Sequence, residues 1–170
     1  MPPSLPEGLA GLAVLPRPVF GHAESVANRA LGYRHAHPWV QFAYAVAGVL
    51  DVRTETGRFI APPQRAVWIP AGVAHQVRCS ANTEIRSLYI EPTALPGAQG
   101  GCRVLAVSPL LRELIRAFGA LPAEYDEHGP GGRLAAVLLD QVATAPALGL
   151  MLPLPQEPRL RRVCEALEAE

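Results

Sequence analysis

Lysine is absent. All 15 basic residues are arginine, and 15 acidic residues cancel them, so the chain carries no formal net charge. Without a charge excess there is no long-range pull toward nucleic acid or an anionic membrane surface. If the protein acts on DNA, the DNA-contacting part lies outside this stretch. Cysteine is scarce and odd in number, at Cys79, Cys102 and Cys164, without the paired spacing of a metal knuckle. That excludes a disulfide scaffold and fits a reducing, cytoplasmic setting. No apolar run approaches the roughly 20 residues that a membrane-spanning helix needs. The N-terminus also has no charged segment leading into an apolar one, so no secretory signal is expected.

What remains, in 170 residues, is enough for one domain with a sizeable core. Residues 1–18 hold five prolines and read as an extended arm. From Val19 to Glu91, short β-type runs alternate with turn signals. They are Val40–Val46, Val49–Thr54, Phe59–Ile60, Ala66–Ile69, His75–Cys79 and Ile85–Ile90. Cys102–Val107 offers one more. Many short strands at this spacing predict a sandwich or barrel.

After a Pro/Gly/Ala linker over 92–101 the period changes. Ser108-Pro109 reads as a helix cap with proline in the first turn, followed by Leu110, Leu111, Leu114, Ile115 and Phe118 at helical spacing. A second helix follows Gly131-Gly132, with Leu134, Val137, Leu138, Gln141 and Val142 on one side. A third begins at Pro158, with Leu160, Val163 and Leu167 on one stripe, and the chain stops in mid-pattern. That ending reads as a domain cut within a longer protein, the alternative being a frayed C-terminal helix.

The chemistry concentrates in Gly32-Tyr-Arg-His35-Ala-His37-Pro-Trp-Val-Gln41 and in Pro70-Ala-Gly72-Val-Ala-His75. Side chains in an extended segment alternate with period two, so His35, His37 and Gln41 share a face. Three neutral imidazoles and an amide oxygen suit a first-row divalent metal such as Zn, Ni, Fe or Mn. The same histidines also make sense as a metal-free polar cluster. By the same parity Trp39, Ala43, Ala45 and Ala47 face inward, and Val77 and Cys79 are in phase with His75. Trp39, Ala43, Val77 and Cys79 are therefore candidate walls of a ligand pocket, the small alanines leaving either room for a ligand or space for bulky neighbours. His22 and His128 lie in turn-like contexts and read as solvated surface groups.

Segment 32–48 resembles the first cupin motif, with Gln41 where that motif carries an acid and Gly48 as its closing glycine. Pro70-x-Gly72-x-x-His75 is similar to the core of the second. There the motif's leading glycine falls on Gln64 and its trailing asparagine on Cys79. The whole chain more closely resembles the N-terminal sensing domain of AraC-type transcription regulators. The run Pro62-Pro-Gln-Arg-Ala-Val-Trp-Ile-Pro-Ala-Gly72 and the later Pro158-Arg-Leu-Arg-Arg helix carry that likeness.

The resemblance implies a mainly β, double-stranded β-helix cupin barrel over 19–107, preceded by the arm at 1–18. A helical dimerisation element would follow over 108–146. Residues 147–170 would be a linker and the first helix of a DNA-binding domain lying beyond it. It further implies a homodimer, made through Leu110, Leu111, Leu114, Ile115 and Phe118, that senses a small molecule or a divalent metal in the barrel. DNA would be reached only through the further domain, and no membrane is involved. The alternative is a small metal-dependent cupin enzyme, an oxygenase or isomerase. Gln41 in place of a carboxylate, and the absence of any obvious general base, weigh against it.

Overall fold

In the computed structural model the described residues are 14–21, 33–80, 83–96, 100–153, 155 and 157–168. The first thirteen residues of the expected arm, and His22 and Gly32, lie outside them. The strands are β1 (Val19–Phe20), β2 (Val40–Ala47), β3 (Leu50–Arg53), β4 (Gly57–Ala61), β5 (Arg65–Ile69), β6 (Gln76–Cys79), β7 (Glu84–Ile90), β8 (Arg103–Ala106), β9 (Ala147–Leu148) and β10 (Met151–Pro153). The helices are α1 (Pro109–Phe118), α2 (Pro130–Ala143) and α3 (Pro158–Glu168).

All strand pairs are antiparallel. They form a six-stranded sheet in the order β1-β7-β2-β5-β8-β9 and a four-stranded sheet in the order β10-β4-β3-β6. The mainly β architecture of the sequence reading is present, and two sheets packed over one interior fit the cupin barrel.

Period-two alternation decides what lies inside. Leu50, Val52, Phe59, Ala61, Val67 and Ile69 meet Ala43, Ala45, Val77, Ile85 and Val104 in one buried cluster drawn from both sheets. The inward alanines therefore stand among bulky aliphatic and aromatic partners, and this part of the lumen is core. The alternation in β2 holds only to Ala45. A register irregularity against β7 between Ala45 and Ala47 leaves Val46 40% exposed and turns Ala47 to solvent as well. The inward position expected for Ala47 is thereby corrected, because an extra residue in one strand resets its face. Gly48 then turns the chain at φ 76°, where a Cβ would stand 2.8 Å from the Thr83 backbone.

The outer face of the six-stranded sheet is the second core. Phe42, Tyr44, Trp68, Leu88 and Ile90 pack against Leu111, Ile115 and Phe118 of α1 and Ala135, Leu138 and Val142 of α2. The Ser108 hydroxyl accepts the Leu111 N–H at 3.1 Å, so α1 is capped as the sequence predicts. On α2 the fully buried positions are Gly131, Ala135, Leu138 and Val142. Leu134 packs at the edge, whereas Val137 is 46% exposed, contrary to the expected stripe. Where the helix axis lies over a twisted sheet, not the apolar pattern alone, sets which stripe is covered.

The expected linker at 147–170 is partly strand. β9 pairs with β8 and β10 with β4, so residues 147–153 run from the edge of one sheet to the edge of the other. Strands of two and three residues are too short to show a period, which is why the sequence does not reveal them. α3 begins at Pro158 as expected, with Leu160 and Val163 more than half exposed.

Phe118 is 2% exposed and meets Tyr125 edge-on at 5.4 Å, anchoring α1 to the connector that precedes α2. Phe118→Ala should cost about 3–5 kcal/mol of unfolding free energy. Urea denaturation followed by circular dichroism measures this, and a loss below about 1 kcal/mol would mean that the helices are not docked on the sheet.

Candidate functional site

The two motifs meet through backbone. His35 and His75 form an isolated antiparallel bridge, in which the His35 N–H donates to the His75 carbonyl at 2.9 Å and the His75 N–H returns a bond at 2.8 Å. The turn before His75 is pinned by the Gly72 N–H, which donates to the His37 carbonyl at 2.8 Å. Gly72 holds φ 75°, a left-handed conformation that a glycine adopts at little cost. Gln41 enters from β2, beside β7.

The three histidines, each 4% exposed or less, have ligating nitrogens that all lie within 4.8 Å of one another. The ring centroids of His35 and His75 are 4.3 Å apart, and those of His37 and His75 are 5.1 Å apart. The structure thus brings together the whole set expected from sequence: His35, His37, His75 and Gln41.

Hydrogen bonds fix how these rings are used. His37 Nδ1 lies 2.8 Å from the Trp39 carbonyl, His75 Nδ1 2.8 Å from the Val73 carbonyl, and His35 Nδ1 3.3 Å from the Tyr33 carbonyl. A carbonyl only accepts, so each Nδ1 carries the proton and, in a neutral ring, Nε2 keeps a bare lone pair. The Nε2 atoms of His37 and His75 each stand 3.1 Å from Gln41 Oε1. That amide is oriented by Ser87, whose Oγ accepts from Gln41 Nε2 at 3.2 Å. Acceptors from three side chains therefore point at one place, an arrangement that a bound cation stabilises and that repels without one. Backbone carbonyls holding the distal ring nitrogens are also the support that metal-ligating histidines need.

Burial keeps the rings neutral. It lowers the pKa of His75 to about 3, and lowers those of His37 and His35, the carbonyl and Gln41 bonds opposing the shift only in part. The rings are thus available as ligands at neutral pH without first losing a proton.

The sequence reading missed two neighbours, Ser87 and Tyr89. Both lie on the inward side of β7, where Ala43 pairs with Ser87 and Gln41 with Tyr89. A serine and a tyrosine alternating with Leu88 and Ile90 was the available signal. Tyr89 meets the His37 ring edge-on at 5.6 Å, and burial raises its phenol well above the usual range. Trp39, one of the expected pocket walls, instead packs with Tyr89 and Leu15 and stacks against His37 at 5.9 Å. Of the other expected walls, Ala43 and Val77 belong to the barrel core and Cys79 packs against it, half-buried.

A cleft of about 390 Å³ is lined by Arg34, Thr54, Glu55, Val73, Ala74 and Cys102 among others, and by none of the three histidines or Gln41. Arg34 and Ala74 directly flank His35 and His75 in the chain, and Arg34 pairs with Glu55 at 2.6 Å across the cleft. Burial pushes the Cys102 thiol up to about 11, so it is not poised for redox chemistry. His128 is exposed, as expected. Of the expected dimer-interface set, Leu111, Ile115 and Phe118 are already used within the chain. Leu110 is 55% exposed and Leu114 half-buried.

Comparison with known proteins places these features in context. The family model described as AraC-like ligand binding domain matches residues 18–139. The HTH-type transcriptional regulator NimR of Escherichia coli strain K12 is 35% identical over 133 residues, which cover 78% of this chain and 48% of that protein. The chain thus spans about half the length of the curated relative it matches. Among solved structures, the AraC-like transcriptional activator CuxR aligns with a TM-score of 0.48 at 13% identity, covering 78% of this chain and 51% of that one. ToxT from Vibrio cholerae strain SCE256 aligns with a TM-score of 0.46 at 6% identity, covering 89% and 63%.

A pH prediction follows from the buried rings. A histidine whose pKa is lowered on folding contributes fully to stability above its unfolded value of about 6.5. Below that pH the unfolded chain takes up protons that the folded state refuses, and stability falls by about 1.4 kcal/mol per pH unit for each such group. For His75 the loss continues down to its folded value of about 3. Metal-free protein should therefore lose urea resistance between pH 6.5 and 4.5 more steeply than a His75→Gln variant. Parallel pH dependences for the two proteins would contradict the buried neutral ring.

Proposed function

The chain belongs to the family of AraC-like ligand-binding domains, and from that premise we propose that it is the effector-sensing and dimerisation part of a bacterial, cytoplasmic transcription regulator. Its barrel takes up a divalent metal ion, alone or together with a small molecule. The supporting observation is the convergence of His37 Nε2, His75 Nε2 and Gln41 Oε1, with His35 completing the set and every Nδ1 held by a carbonyl. Neutral nitrogen donors favour Zn, Ni or Fe over Mg or Ca, with Mn the poorest fit of the four metals named from sequence. Bound there, the ion supplies a fixed charge that draws the two motifs together. The matched family is one of ligand-binding domains rather than catalysts, so the chain is read as a sensor and not as an oxygenase or isomerase.

Without the ion, the Gln41 amide has a second arrangement open to it. Turned over, its NH2 donates to both Nε2 atoms and its oxygen accepts from the Ser87 hydroxyl, which can act in either sense. The two arrangements differ in which atoms face the rings, so the amide couples occupancy to the Ser87 and Tyr89 side of β7.

From there the contacts lead outward. Leu15 and Phe20 pack on the Trp39–Tyr89 pair, and Arg17 Nε donates to the Tyr125 carbonyl at 2.8 Å in the connector between α1 and α2. A ligand that favours one arrangement shifts the helices only by its difference in affinity between the two states. DNA is contacted through a domain outside these residues, consistent with the chain's share of its relative's length. No helix among the described residues is long and apolar enough to cross a membrane.

Two measurements test this reading. Plasma mass spectrometry of the purified domain should find near-stoichiometric transition metal, lost in the His35→Ala/His75→Ala variant; equal, trace metal in both proteins would remove the ion from the account. Light scattering after gel filtration should report a dimer that Leu110→Glu/Leu114→Glu converts to a monomer. A variant that remains dimeric would place the interface elsewhere.

A further inference from the structure

A divalent ion held by His35, His37, His75 and Gln41 is held by four neutral ligands, so the filled site keeps both positive charges. Among the described residues, the cluster of potential ligands contains three histidines and neither a carboxylate nor a thiol. Glu55 is turned to Arg34 in the cleft and stands largely in solvent. An uncompensated double charge at a site whose four ligands are each 5% exposed or less costs much more than it would in water.

We propose that Gln41, by withholding the carboxylate, makes the metal-loaded site select a small anion as co-ligand, so that the recognised effector is a carboxylate or comparable oxyanion. This inference rests on the metal reading above and assigns Gln41 a specificity role within it. The approach for such an anion is on the His35 side. Tyr33 lies 5.5 Å from the His35 ring and is itself 39% exposed, so the next layer out already borders solvent. The 390 Å³ cleft on the far side of Arg34 and Ala74, the chain neighbours of His35 and His75, carries the Arg34 guanidinium, while the Thr54 hydroxyl there is bound within its own turn to Gly57 and Thr56. That guanidinium suits a second polar group of a molecule whose carboxylate is the metal co-ligand, once that second group displaces Glu55 from Arg34.

The test uses the intact chain loaded with Co2+, whose visible spectrum reports coordination, and titrates it with azide and then acetate as probe anions. Saturable spectral changes are expected in the wild-type protein. In Gln41→Glu, which supplies the missing charge and can still bond Ser87, anion affinity should fall at least tenfold while Co2+ binds more tightly. Circular dichroism verifies that the variant is folded, and the wild-type titration stands on its own if it is not. Absence of Co2+ binding would overturn both this inference and the metal reading. Co2+ binding with no response to either anion would overturn the anion selection alone. An anion response unchanged in a folded Gln41→Glu would overturn the role of Gln41.

Discussion

The arrangement everything else depends on is the reciprocal backbone pairing of His35 with His75. It joins two motifs forty residues apart in the sequence, and it does so with main-chain bonds that any residue except proline can make. Once the pair is made, Trp39, Val73 and Tyr33 present their carbonyls to the three Nδ1 atoms, and the tautomer of each ring is set. The protonation pattern is thus a consequence of the fold. Gln41 adds an amide to lone pairs that are already aimed.

Burial and chemistry reinforce each other here. The packed interior that excludes water from the rings also keeps them neutral, which is the state a metal requires and the state an acidified chain loses. The cost of burying polar nitrogens is offset on the Nδ1 side by backbone carbonyls and on the Nε2 side by the Gln41 amide, whose oxygen shares a metal ion with the rings or whose turned-over NH2 donates to them. The barrel interior proper is filled, with Phe59, Ile69 and Leu50 against the alanines, and the cleft beside Arg34 lies outside that core.

Much of this was legible in the sequence, for identifiable reasons. The main strands and the two helices of the hairpin announce themselves by period, and the cap at Ser108 by residue type. His35, His37, Gln41 and His75 follow from parity and from a Pro-x-Gly turn. Even a departure from the cupin pattern is informative: Gln64, where the motif carries glycine, still holds φ 65°. The backbone shape has been kept although the residue best suited to it is gone. Three things were hidden. The bulge after Ala45 inverts the face of the last residues of β2, and no side-chain pattern encodes an unpaired residue. The strands at 147–153 are too short for periodicity and exist because two sheet edges lie within reach. Ser87 and Tyr89 matter through their register with β2, which pairing decides and local sequence does not.

Tautomers are the claim on which the account turns, and side-chain nitrogen NMR reads them directly. In 15N-histidine protein stripped of metal, His37 and His75 should show protonated Nδ1 and unprotonated Nε2 at pH 7.5. Addition of one equivalent of Zn2+ should shift the Nε2 resonances and leave the Nδ1 signals nearly unmoved. Rings found with the proton on Nε2, or Nε2 resonances indifferent to zinc, would contradict the convergence of lone pairs on which the metal reading is built.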